Sequence, residues 1–169
     1  MSEHAFWITS RAAGIIALLV SSLAVAVGLS RRGKDWRIVH ESLSLATMVA
    51  LAVHALSLLG DSYLRPSLAD LTIPFVSGYE RLWMSVGIVA GWAFVILGLS
   101  YYVRARIGIQ RWRVLHRFTA LAWVLGIAHA LMMGTDAGTA WFLLAAGLFV
   151  VPAGALLVRR FTPTTPVPA

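Results

Sequence analysis

Cysteine is absent from the 169 residues, and charge is scarce, with only 12% of positions Asp, Glu, Lys or Arg. The first absence excludes disulfides, iron–sulfur clusters and thiolate-ligated haem, and leaves histidine as the main soft ligand. The second, beside 59% hydrophobic residues and a mean hydropathy of +0.80, excludes an ordinary soluble domain. A Gly-rich dinucleotide fingerprint is also missing. What is present is a recurrence of apolar runs long enough to cross a bilayer, so the chain reads as an all-α integral membrane protein. The net charge of +7 does not point to nucleic acid, because the arginines fall at the ends of apolar runs, where positive charge sets orientation.

Five spans are expected, at about 12–29, 38–59, 82–103, 114–133 and 139–158. Phe6 and Trp7 precede the first at an interfacial position. It is expected to stay as a span, against the competing reading of a cleaved signal peptide, because the amino-terminal region is not basic, no clear small-residue cleavage site follows, and Ser30-Arg31-Arg32 looks like a stop. Residues 60–81 are polar and broken by Pro66, Pro74 and Gly78, with room for a short surface helix at 67–71. Residues 1–161 make one transmembrane domain. The segment 162–169, with three prolines, is expected to be a disordered tail.

An odd number of spans puts the termini on opposite sides, and positive charge chooses between them. Arg31, Arg32, Lys34, Arg37, Arg104, Arg106, Arg111, Arg113, Arg117, Arg159 and Arg160 fall on one side, against Arg11, Arg65 and Arg81 on the other. The expected topology in a plasma or bacterial inner membrane is amino terminus outside and carboxyl terminus cytoplasmic.

Within this frame a motif occurs twice. Trp36-Arg37-Ile38-Val39-His40 opens the second span and His54-Ala55-Leu56 closes it; Trp112-Arg113-Val114-Leu115-His116 and His129-Ala130-Leu131 do the same in the fourth. Both spans run from inside to outside, as a parallel repeat does. His40 and His116 therefore lie near the inner surface, and His54 and His129 nearer the outer one. Separations of fourteen and thirteen residues put the layers about 20 Å apart along the helices.

Ionisable side chains inside a span are costly and are a functional hypothesis by default. Four imidazoles in two layers read as two bis-histidine haem sites in a five-helix bundle, between helices 2 and 4. Zinc or copper would gather its ligands within about 2.0 to 2.3 Å of one ion, whereas this spacing divides the histidines into distant pairs. Histidines that merely pack, or relay metal ions or protons in a transporter, are the competing readings. His4, outside the spans, is expected to be solvated.

Helical phase favours one helix over the other. At about 100° per residue, His54 returns to within about 40° of His40, while His129 falls about 140° from His116. An overwound fourth helix, a bend near Gly126, or rings approached from different sides would each reconcile this. Arg37, Arg113 and Arg117 are candidates for the propionates of an inner haem as well as for positive-inside anchors. Arg65 and Arg81 are the outer candidates. Trp123 is placed between the layers or in core packing, and Glu41 beside His40 in supporting chemistry or at headgroup level.

At these residues the chain resembles the ferric reductase-like transmembrane domain, the haem-bearing module of NADPH oxidases, ferric reductases and the haem subunit of the periplasmic methionine sulfoxide reductase system. The resemblance rests on His40/His54 and His116/His129 with their spacings, on Trp112-Arg113-Val114-Leu115-His116-Arg117, and on Ile73-Pro74-Phe75 with Tyr79. It covers about 29–157. It implies two b-type haems, the inner on His40 and His116 and the outer on His54 and His129, and electrons crossing from the cytoplasmic face outward. Oxidase-type members have six spans and a long cytoplasmic flavin and NADPH domain; here five spans are followed by about eleven residues.

The expected function is thus a di-haem b cytochrome without a flavin or NADPH site of its own. Its donor would be a separate flavoprotein or a membrane quinol, and its outer acceptor a ferric chelate, oxygen or a redox protein. A quinol-linked cytochrome b subunit and a histidine-based metal or proton transporter are the alternatives. The charge bias generates the first test. Reporter fusions after Arg160 are expected to read cytoplasmic, and fusions within 66–78 external; the opposite pattern reverses the inner and outer layers.

Overall fold

The computed structural model describes residues 4–30 and 34–162. Helix α1 is Ala5–Leu29, α2 Lys34–Leu58, α3 Leu68–Thr72 and α4 Arg81–Leu99; a 3-10 turn, Ser100–Val103, leads into α5, Arg104–Ile107. Then come α6, Ile109–His116, α7, Thr119–Met133, and α8, Ala140–Phe161. Five helical stretches are long and apolar enough to cross a membrane: Ala5–Leu29, Asp35–Leu58, Arg81–Ile107, Ile109–Met133 and Ala140–Phe161. The architecture is an all-α, five-helix integral membrane bundle. Arg31 and Arg32 of the expected stop, and residues 163–169 of the expected tail, lie outside the described residues.

Sequence chemistry accounts for how the helices pack. Ser10, Ala13, Ala17, Ser21 and Ala24 recur every three or four residues on α1 and are buried. Small residues at that spacing let backbones approach closely where lipid removes any hydrophobic drive between helices, and α1 lies along α2 over its length. Two serine hydroxyls of this helix are satisfied locally: Ser21 and Ser22 both donate to the Leu18 carbonyl, at 3.0 and 2.7 Å. Neighbours run in a ring, α1 to α2, α2 to α4, α4 to α7 and α7 back to α1, with α8 outside against α1. Helices α2 and α7 therefore face each other diagonally with little close backbone contact.

Two irregularities shape the ring. Gly108, at φ 92°, is the whole connection between α5 and α6, a conformation that strains any residue with a Cβ. The second lies between α6 and α7, where Arg117, Phe118 and Ala120 donate three residues back, to Val114, Leu115 and Arg117. The Thr119 hydroxyl meanwhile captures the His116 carbonyl at 2.6 Å. A 3-10 step turns about 120° rather than 100°, so three such steps recover about 60° of the phase missing between His116 and His129. The fourth span is overwound at 117–118, not at Gly126.

At the other end, residues 59–80 form a tied loop. Asp61 is buried and accepts from the Tyr63 and Leu64 amides. Ser67 and Asp70 cap α3 reciprocally, and the Ser67 bonds hold the Asp70 carboxyl below its ordinary range. The Phe75 amide donates to Ser85 and the Trp92 indole to the Thr72 carbonyl, which fastens the loop along α4.

Helix α1 begins at Ala5, ahead of the residue 12 suggested by hydropathy, and Arg11 within it is paired. Its guanidinium makes a two-pronged ion pair with Asp136, in the turn between α7 and α8, and lies 5.1 Å from the Trp7 ring centre. The Asp136 side chain is 7% exposed and that of Arg11 36%. Asp136→Ala removes the acceptor and leaves the cation unpaired, at an expected cost of about 1–3 kcal/mol. Thermal unfolding in detergent should show a lower midpoint, partly restored by adding Arg11→Ala; strictly additive losses would rule out the coupling.

Candidate functional site

Helices α2, α6 and α7 bring the four span histidines together in two pairs. The His40 and His116 rings are 6.0 Å apart, centre to centre, and inclined at 88°; His54 and His129 are 6.3 Å apart and inclined at 75°. Two imidazoles on opposite sides of one metal ion, each bond about 2.0 Å and each ring adding about 1.1 Å, have centres about 6.2 Å apart. Both pairs fit that dimension. Among the described residues, no group of three or more His, Asp or Glu is gathered for a metal ion.

The second ring nitrogen decides which atom faces the gap. His40 Nδ1 lies 2.9 Å from the Ala24 carbonyl, His54 Nδ1 2.8 Å from the Ser10 carbonyl and His129 Nδ1 2.8 Å from the Trp83 carbonyl. A carbonyl only accepts, so Nδ1 must carry the hydrogen in all three. Nε2 then keeps its lone pair, the form a metal-binding imidazole takes, with the carbonyl bond orienting the ring and raising its basicity. The Ser10 hydroxyl, 3.0 Å from the same Nδ1, donates to the His54 carbonyl.

His116 is different. Its Nδ1 is buried without a hydrogen-bond partner. Instead the ring stacks on Trp112, 5.0 Å between centres and 24° between planes, and the Trp112 indole donates to Ser100 at 3.0 Å. The Ser100 hydroxyl itself occupies the Leu97 carbonyl at 2.6 Å.

A cavity of about 350 Å³ opens beside His40 and His116. Arg37 and Arg113, expected from the sequence, line it; Arg117 does not and is exposed. Arg104 also lines it, its guanidinium 3.8 Å from the Tyr101 ring centre and bonded to the Tyr101 carbonyl at 2.6 Å. Nothing in local spacing links Arg104 to His116, since they come from different spans, and only the fold reveals it. Glu41 lines the cavity too and accepts from the Tyr102 hydroxyl at 3.2 Å. Three guanidiniums against one carboxylate leave this mouth positive, suited to anionic groups.

The other layer has no comparable cluster at the expected positions. Arg65 donates to the Ser62 carbonyl and Arg81 to the Phe75 carbonyl, so both are exposed and engaged with the loop's own backbone. Trp123 lies between the layers, 3% exposed, and donates to Ser22 of α1 at 3.0 Å. A methyl at Gly154 of α8 would meet its ring at 3.9 Å, so the indole fills the junction of α7, α1 and α8.

Comparison with curated proteins and with solved structures returns no significant match. The family model described as "Ferric reductase like transmembrane component" matches residues 10–127. That range starts earlier than the expected 29 and takes in most of α1; it includes His40, His54 and His116 and stops two residues before His129. With helical architecture, paired histidines and a match over 118 of 169 residues, the chain belongs to the ferric reductase like transmembrane component family.

Proposed function

We propose that the protein is a di-haem b-type cytochrome that carries electrons across the membrane, one haem held by His40 and His116 and the other by His54 and His129. The observation that carries this is the pair of facing imidazoles in each layer, at 6.0 and 6.3 Å, with Nδ1 of three rings committed to backbone carbonyls. When bound, a b haem supplies a one-electron ferric/ferrous couple. The chain supplies the axial nitrogens, fixes their tautomer and surrounds them with apolar helix faces that exclude water.

Arg37, Arg104 and Arg113 are positioned to receive propionates at the positive mouth of the cavity. Arg117 acts as an orienting charge, and Arg65 and Arg81 hold the loop that covers the second layer. Trp123 keeps the space between the layers packed. The arginine-rich end is the cytoplasmic one, where a separate flavoprotein or a quinol delivers electrons; the acceptor, a ferric chelate, oxygen or a redox protein, meets the loop end. A histidine path for metal ions or protons draws no support from rings of which three are fixed by backbone carbonyls and the fourth by an aromatic stack.

Pyridine haemochrome analysis of the pure protein is expected to give two b haems per chain, both low-spin and six-coordinate. A ratio of one would overturn the two-layer assignment. His129→Leu keeps the span apolar while removing one axial nitrogen. The variant should retain the His40/His116 haem and accept electrons from a donor at the arginine-rich end. Transfer to an external acceptor should fall more than about tenfold, since even a supporting partner of a ligand is worth that much. Two six-coordinate haems with undiminished transfer in this variant would return the histidines to a packing role.

A further inference from the structure

The carbonyls that receive the histidines share a pattern that the family assignment does not use. Each belongs to the residue four before a glycine: Ser10 before Gly14, Ala24 before Gly28, and Trp83 before Gly87. In an α-helix the carbonyl of one residue meets the amide four residues later. A side chain leans toward the helix amino terminus and covers the surface of the preceding turn. At the later position, any side chain therefore lies over that carbonyl and the path by which another helix reaches it. Glycine leaves the path open.

The space confirms that it is used. A methyl at Gly14 would stand 3.0 Å from Nδ1 of His54, and one at Gly28 3.0 Å from Cε1 of His40. At Gly87 it would stand no more than 2.8 Å from Nδ1, Cε1 and Cγ of His129, too close for any Cβ. The spacing of Gly14 and Gly28 on α1, fourteen residues, repeats that of His40 and His54 on α2. His116 supplies the contrast. Its ring is directed at the Leu97 carbonyl, but that carbonyl is held by Ser100, the residue four after it is Tyr101, and His116 Nδ1 stops short of hydrogen-bond geometry. Glycine and a formed carbonyl bond occur together three times; at the fourth histidine there is no glycine, and the approach to the carbonyl stops short of a bond.

We propose that Gly14, Gly28 and Gly87 are positioning residues: each bares the carbonyl one turn earlier, so that His54, His40 and His129 dock against a neighbouring helix, donate Nδ1–H and offer Nε2 to the metal. His116 is oriented by Trp112 stacking instead. This rests on the haem reading above only for the identity of the metal group. The tautomer and ring position belong to the protein alone.

The test uses the full chain carrying Gly14→Ala, Gly28→Ala or Gly87→Ala, with Gly91→Ala as control, since a methyl at Gly91 meets nothing within 4 Å. Gly87→Ala is expected to lower the haem-to-protein ratio from two to one. Gly28→Ala should alter the ferric low-spin resonance of the His40/His116 haem alone and raise its midpoint potential, because a weakened Nδ1–H bond makes the imidazole a poorer donor. Gly14→Ala should do the same to the other haem alone. Both lie on α1, so damage to the helix as such would disturb both layers together; that outcome, or unchanged resonances and potentials in all three variants, overturns the proposal. Histidine 15N shifts of the haem-free protein separate the two readings. If the parent chain binds no haem, the haem assignment fails, yet Gly87→Ala must still displace His129 from its Nδ1–H form; an unshifted spectrum sinks the positioning role independently.

Discussion

An imidazole inside an apolar bundle has two nitrogens to satisfy and no water to satisfy them, and the helix arrangement follows from that constraint. A buried polar atom without a partner costs several kcal/mol in hydrocarbon surroundings. His40 and His54 of α2 resolve one nitrogen each on α1, and His129 of α7 resolves one on α4. These bonds tie α2 to α1 and α7 to α4, so the bundle is made of two helix pairs. The ring pairs meet across the diagonal between α2 and the α6–α7 span, with centres 6.0 and 6.3 Å apart, where close backbone contact is sparse. That gap is the consequence of satisfying the first nitrogen elsewhere, and it is where the proposed site lies.

The two ends of the bundle meet the constraint differently. At the loop end, both histidines donate to carbonyls, and the covering segment spends its polar groups on itself, through the Asp61 turn, the Ser67–Asp70 cap and the Arg65 and Arg81 bonds. At the arginine-rich end only His40 donates to a carbonyl. His116 is held by an aromatic stack, and its surroundings contain the cavity lined by Arg37, Arg104 and Arg113. One layer is closed by backbone and the other opens toward charged side chains. The chemistry offered to a partner at the two faces is correspondingly unequal.

Much of this was legible in the sequence because it is written in periodicity. Apolar runs specify five helices, and a doubled Trp-Arg-x-x-His with fixed spacing specifies two layers. What local pattern leaves out is whatever depends on contacts between distant segments. Arg104 reads as an orienting charge until the 3-10 turn after α4 brings it beside His116's cavity. Arg11 reads as the boundary of a span until Asp136, 125 positions away, accepts its guanidinium. The phase error of the fourth span is visible as arithmetic, but its location at 117–118 follows from a threonine hydroxyl that takes a carbonyl from the ladder. Gly126, where a bend is one of three ways to reconcile the phase, stays within regular helix.

The fifth spanning helix then has a role that the histidines alone do not suggest. Helix α8 lies beyond the matched range and carries no histidine, yet Phe142 and Ala146 pack with Leu18 in a buried cluster on α1. Ser22, on that same stretch of α1, accepts from Trp123 of α7. Helix α1 is thus fixed from three sides, by α2 along its small-residue stripe, by α8 through the cluster, and by α7 through the indole. Because α1 provides the acceptors for both α2 histidines, any shift or rotation of it would move His40 and His54 together. A helix that presents backbone carbonyls as orienting groups has to be held more firmly than one that presents side chains, since no rotamer change can absorb its displacement. The buttress of α8 supplies that rigidity, and the ion pair of Arg11 with Asp136, at the turn entering α8, anchors the same helix at its loop end.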